Sequence, residues 1–121
     1  MNYEFNADVE KNRLYMMMEG FYIEEQLHEA YDMVVKEAEK LQDGYTVISD
    51  VSRLRVTTDE ASVYIEKMRD YAIKRKTKII IRVVGNKLSK MQLKDLTDGY
   101  LEQIEVSSLE EANDYLDKNN L

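Results

Sequence analysis

The sequence predicts an α/β domain: a mixed, mostly parallel sheet with helices packed on it, in the order β-β-α-β-α-β-α-β-α. Three observations predict it. The chain opens with apolar and polar residues in strict alternation, followed after a short polar link by a second strand-like run. Beyond Gly20, stretches with apolar residues at helical spacing alternate with short apolar, β-branched stretches. At 121 residues, 44% apolar and 34% charged, the chain suits one domain, 1–121, long enough to bury a core without crosslinks.

Each element has its own signal. Tyr3, Phe5, Ala7 and Val9 alternate with Asn2, Glu4, Asn6 and Asp8, the period-two pattern of a half-buried strand. "DVEKN" is turn-forming, and "RLYMMMEG" is a second strand with Leu14, Met16 and Met18 on one side and Met17 on the other. So brief a connection predicts an antiparallel hairpin. Leu27, Ala30, Tyr31, Val34, Ala38 and Leu41 form one apolar stripe on a helix from about Glu24 to Gln42, with Gly44 just past its end. "YTVISDV" (45–51) reads as a third strand ending near Asp50. Ala61, Tyr64, Ile65, Met68, Tyr71 and Ala72 mark a second amphipathic helix, whose terminal "KRK" complements the helix dipole. "KIIIRVVG" is nearly continuously apolar and β-branched, as expected of a strand covered on both faces. A third helix is expected over about 87–101, then a short strand "IEVS". A final helix opens on Ser108, with Glu111 completing a capping box. Strands joined through helices require right-handed crossovers, hence the mostly parallel sheet.

Composition excludes several function classes. There is no cysteine, so neither a disulfide framework nor a thiolate metal site can form. The acidic, alternating start is wrong for a secretory signal, and "IIIRVV" is too short to span a bilayer and carries an arginine. A cytoplasmic protein without a transmembrane segment is expected. The net charge of −7 is unevenly placed. Nine of the residues from Lys67 to Lys90 are basic against one acid, Asp70, while 92–121 hold eight acids and two lysines. An acidic chain argues against nonspecific phosphate binding, so no nucleic acid is expected and the basic run reads as a solvated face.

The chain resembles the STAS domain, and more narrowly the small stand-alone SpoIIAA-like proteins, a fold related to the CRAL-TRIO lipid-binding module. "LYMMMEGFYIEEQLHEA" has the family's opening order of strand, glycine and helix. "GYTVISDVSRLR" resembles its central strand, and "VSSLEEANDYL" its closing strand and helix. The resemblance implies an anti-sigma-factor-antagonist type of fold and a protein partner. In phosphorylatable members a D-S-S-G-like turn opens the helix after the central strand. Counted from Asp50 without a gap, that turn falls on Thr58, Asp59, Glu60 and Ala61, so the serine pair is replaced by carboxylates and the switch is expected to be lost. T-x-x-E before an apolar run is also an ordinary helix start, with Thr57 accepting from backbone N–H groups and Glu60 reaching back. Of the two threonines, Thr57 is the better phosphoacceptor, because Asp59 and Glu60 repel phosphate at Thr58.

No nucleophile–base pair, phosphate-binding loop or metal-ligand cluster is visible, and His28 stands alone. The expected function is therefore non-enzymatic, without cofactor or metal: a regulatory or interaction domain that binds a protein partner. The candidate contact residues are Asp50, Ser52, Arg53, Arg55, Thr57, Thr58 and Asp59, with Gly85 and Lys87 nearby, because ligands of open α/β sheets sit outside the carboxyl ends of strands. The alternative is a carrier of a small lipophilic ligand between sheet and helices, lined by Met16, Met18, Tyr64 and Met68. Packing is the expected use of those four, since cores are normally filled. A short strand at a sheet edge further predicts a homodimer.

Overall fold

The computed structural model describes residues 2–20, 24–55, 59–84 and 103–121. Strand β1 (Asn2–Asp8) pairs antiparallel with β2 (Arg13–Gly20). Strands β2, β3 (Thr46–Leu54), β4 (Ile79–Val83) and β5 (Gln103–Val106) run parallel, and the sheet order is β1-β2-β3-β4-β5. The predicted hairpin and mixed sheet are both present, with β1 at one edge. The third predicted helix, with Gly85 and Lys87, lies outside the described residues.

Helices α1 (Glu24–Ala38) and α2 (Asp59–Lys74) cover one sheet face, and α3 (Leu109–Lys118) lies on the other. Strand alternation divides the core accordingly. Phe5, Leu14, Met18, Val47 and Val51 meet Leu27, Ala30 and Val34 of α1. Ile48, Ile79, Ile81, Val83 and Val106 meet Ala112 and Leu116 of α3. Strand β4 feeds both faces, because Ile80 packs on the α1/α2 cluster, as a nearly continuous apolar run requires.

Strand β3 continues to Leu54 instead of ending near Asp50. The register explains why. Met17 opposes Asp50 and Glu19 opposes Arg53, so β3 carries one residue more than β2 over this span. That bulge lets Val51 and Leu54, three residues apart, both face the α1/α2 core. In a regular strand such spacing puts them on opposite faces, which is why the sequence reads as a loop there.

Helix α1 ends at Ala38 instead of Gln42. Lys40 and Leu41 donate their N–H groups three residues back, to Glu37 and Ala38, a tightened last turn that still buries Leu41. Gly44 is therefore not the helix cap. It sits in the turn into β3 at φ +84, where its N–H donates to the Arg75 carbonyl at 2.9 Å. Arg75 in turn serves α1 more than its own helix. Its guanidinium donates to the Ala38 and Leu41 carbonyls at 3.0 and 2.6 Å, to the Tyr71 hydroxyl at 2.9 Å, and to the Asp43 carboxylate.

Helix α2 closes with Lys76 in the left-handed region at φ +60, while Thr77 N–H donates to Ala72 and Lys76 N–H to Ile73. This is a Schellman turn with lysine where glycine is normal. Lys76→Gly is expected to stabilise the protein by about 0.5–1 kcal/mol, relief of left-handed strain outweighing the added freedom of the unfolded chain. A urea midpoint unchanged or lowered would refute it.

Two carboxylates make stability depend on acid. Glu37 accepts from Lys40 at 2.6 Å and from the Ala7 N–H of edge strand β1 at 3.2 Å. The Lys40 bond leads the effects that hold its pKa below the ordinary 4.5. Glu111 is lowered by accepting from the Ser107 N–H and hydroxyl. Ser108 caps α3 as expected, accepting from Glu111 N–H at 3.1 Å, but the reciprocal bond goes to Ser107, one residue earlier. For both carboxylates the folded pKa lies below the unfolded one. Their stabilisation is complete above the unfolded value and is lost as pH falls through the folded value. Urea midpoints should therefore drop as pH falls below about 4.5. Glu37→Gln should flatten that slope; an unchanged slope would assign the acid loss to other groups.

Candidate functional site

The bulge in β3 decides where the sequence-predicted residues point. Asp50 lies within the strand, and its carboxylate accepts from the Ser52 N–H at 3.1 Å and the Ser52 hydroxyl at 2.6 Å. Asp50 and Ser52 are thus brought together. Arg53 leaves them: it is 80% exposed and reaches Glu19 on β2 at 3.5 Å. Arg55 follows the strand end, its N–H donating to the Gly20 carbonyl at 3.1 Å. Asp59 is the first residue of α2; its side chain, and Thr57 and Thr58 entirely, lie outside the described residues.

Met16, Met18, Tyr64 and Met68 gather on the α1/α2 side. Met18 is buried, and the other three are partly buried against the same cluster. His28 is exposed on α1, 3.8 Å from Asp32 and edge-on to the Tyr64 ring. Lys67 lies 5.2 Å from the centroids of both Tyr31 and Tyr64, pinning α2 to α1. Among the described residues, no group of three or more His, Asp or Glu is placed to hold a metal ion. No helix among them is long and apolar enough to cross a membrane.

The opposite face carries a feature the sequence reading missed. Among the described residues, helix α3 packs over β3, β4 and β5 and reaches β2 only at Arg13 and Tyr15, leaving β1 and the Met17 end of β2 uncovered on that face. A groove of about 300 Å³ lies there, lined by Glu4, Asn6, Tyr15, Met17, Ile48 and Asp50, with Met16 and Leu109. Its geometry follows from the register. Glu4 opposes Met17, and Met17 opposes Asp50, so the three form one row across three strands. Asn6, Tyr15 and Ile48 form the next row. Two strand spacings separate the rows' outer members, so the carboxylates of Glu4 and Asp50 flank Met17 with their Cα atoms roughly 10 Å apart. Ile48 is the buried floor, Tyr15 and Met17 are half-buried, and Leu109 projects from the first turn of α3 with 47% of its surface exposed.

The wall beside this groove is fixed by Arg13. Its side chain is only 1% exposed, on the α3 face of β2. It donates to Asn113 at 2.9 Å, Asp117 at 3.1 Å and the Leu121 backbone oxygen at 2.8 Å. The Tyr15 hydroxyl donates to the same Asn113 oxygen at 2.7 Å. A Schellman turn brings Leu121 into reach: Asn120 takes φ +56 and Leu121 N–H donates to Leu116 at 2.8 Å.

This architecture is the SpoIIAA-like fold, an α/β sheet with helices on both faces, as the sequence resemblance implies. Among solved structures the chain is similar to an uncharacterised protein of the DUF3478 family with a SpoIIAA-like fold, from Shewanella loihica PV-4. The TM-score is 0.73 at 12% sequence identity, covering 95% of this chain and 93% of that one. At that identity the likeness is one of fold alone. No family model matches the chain, and no curated protein matches it significantly.

Proposed function

We propose that the protein is a non-enzymatic regulatory domain of the cytoplasm that works by binding a protein partner. The observation that carries this reading is the open half of the α3 face, where an apolar floor is framed by carboxylates and bordered by an exposed leucine. Apolar surface framed by polar groups is the ordinary form of a recognition site. The polar residues picked out in the sequence support it by what they do. Asp50 is engaged by the Ser52 hydroxyl, and the single histidine, His28, stands exposed beside Asp32 on α1, across the sheet from that pair. Native mass spectrometry and crosslinking of the protein from its own host test the reading. A stoichiometric protein partner is the expected result. Only the free chain, or a substrate converted by it, would overturn it.

The second reading, a carrier of a lipophilic ligand, draws on the partial burial of Met16, Tyr64 and Met68 beside the sheet. It predicts a small stoichiometric mass addition in the same spectra. Self-association remains part of the proposal because β1 is an edge strand. Glu37 opposes it by occupying the Ala7 N–H. Light scattering at high concentration that returns only the 14.3 kDa mass would remove the dimer.

A further inference from the structure

We propose that the open half of the α3 face seats an amphipathic helix of the partner protein, apolar along one stripe and carrying Lys or Arg on both sides of it. This rests on the reading of the protein as an interaction domain and names the chemistry of its partner. Four features lead to it. First, the hydrogen-bonding groups of β1 and β2 lie in the plane of the sheet. An occupant of the face receives side-chain contacts only and must satisfy its own backbone, which a helix does. Second, the open area has the right width. Five strands span roughly 19 Å, room for two helices side by side at the usual interaxial distance of about 8–10 Å, and among the described residues α3 packs over β3–β5 and touches β2 only through Arg13 and Tyr15.

Third, the apolar spacing matches. Tyr15 and Met17 lie two residues apart on β2, about 6.7 Å along the strand. Side chains at i and i+4 of a helix, about 6 Å apart along its axis, can cover both. Leu109 supplies an apolar contact from the side of α3. Fourth, the charge is complementary. The two residues of the lining that are charged at neutral pH, Glu4 and Asp50, are both acidic and stand on either side of Met17. Their existing partners, Asn6 and Ser52, are neutral and leave both charges in place. Cationic side chains flanking an apolar stripe can lay their stems on the groove wall and bring their heads to these carboxylates.

The test uses the full chain, with labelled methionine methyls and backbone amides, and two synthetic peptides of roughly 14 residues, about 21 Å of helix. Both carry the same leucine stripe; one is flanked by lysines, the other by glutamates. The lysine peptide is expected to shift the Met17 methyl and the amides of Glu4, Asn6, Tyr15 and Leu109, with affinity falling as salt rises. The double variant Glu4→Gln/Asp50→Asn should bind it about fivefold more weakly at low salt while keeping the parent's melting curve. On the parent protein, the glutamate peptide should be weaker than the lysine peptide by at least that factor. Equal binding of the two peptides would overturn the proposal, as would a double variant that binds like the parent. So would shifts centred on Tyr3, Phe5 and Ala7, which would signal an extended segment added at the β1 edge, or no shift at all. Failure here with a host partner still found by crosslinking would remove the helix and leave the interaction domain standing. Absence of any host partner would remove the broader reading instead.

Discussion

Arg75→Ala is expected to destabilise the protein by about 2–4 kcal/mol, from the loss of several hydrogen bonds to a charged donor at a partly buried site. The guanidinium closes the carboxyl end of α1 by bonding the Ala38 and Leu41 carbonyls, and it fixes α2 alongside through the Tyr71 hydroxyl and Asp43. The guanidinium carbon also lies over the rings of Tyr45 and Tyr71, at 5.2 and 5.8 Å from their centroids. The bond to Asp43, first among the causes, raises its pKa above the ordinary arginine value, so it remains charged throughout the working range. A lysine has one head and no fork, so Arg75→Lys should recover less than half of the loss. Asp43 is 59% exposed, and an exposed carboxylate contributes at most about 1 kcal/mol. Asp43→Ala should therefore cost far less than Arg75→Ala. Urea unfolding of the three variants decides the matter. Equal losses for Asp43→Ala and Arg75→Ala would show that the ion pair, not the closure of α1, is what Arg75 provides.

The same residue shows what a sequence can and cannot yield. "KRK" at the end of an amphipathic run is legible as cations at a helix terminus. That Arg75 closes the neighbouring helix is not, because it depends on α1 and α2 ending side by side. Strand β4 and the hairpin were readable because alternation and unbroken apolar runs are local patterns. The end of β3 was not, since a bulge breaks the period of two and places Val51 and Leu54 on one face. The groove was almost wholly hidden. Glu4, Met17 and Asp50 come from three strands and meet only through strand order and register. One local trace existed: in "MMM", Met17 must face away from Met16 and Met18, so the second face of β2 also carries apolar surface. Which part of that face remains open is set by where α3 lies, and α3 is held there by Arg13.

Arg13→Ala is accordingly expected to cost about 2–4 kcal/mol, combining a void at a fully buried position with three lost bonds, and to act on α3 before the rest of the fold. The balance at this site is close. Burying a guanidinium is expensive, and its Nε has no partner among the described atoms, so the three acceptors must offset that cost. Asp117 is 55% exposed and can return to water once Arg13 is gone, which limits the penalty. Arg13→Met keeps most of the volume and removes the charge. It should recover the packing part of the loss and leave α3 untethered. Hydrogen exchange separates the two parts: in both variants the amides of α3, from Ala112 to Leu116, should lose protection while those of α1 from Ala30 to Val34 keep theirs. Equal loss in the two helices would mean that Arg13 supports the sheet as a whole. Full protection of α3 in Arg13→Met would mean that shape, not the bonds to Asn113, Asp117 and Leu121, holds the helix. Selective loss in α3 is the expected result, because the opposite side of β2 packs on α1 through Leu14 and Met18, which neither substitution touches.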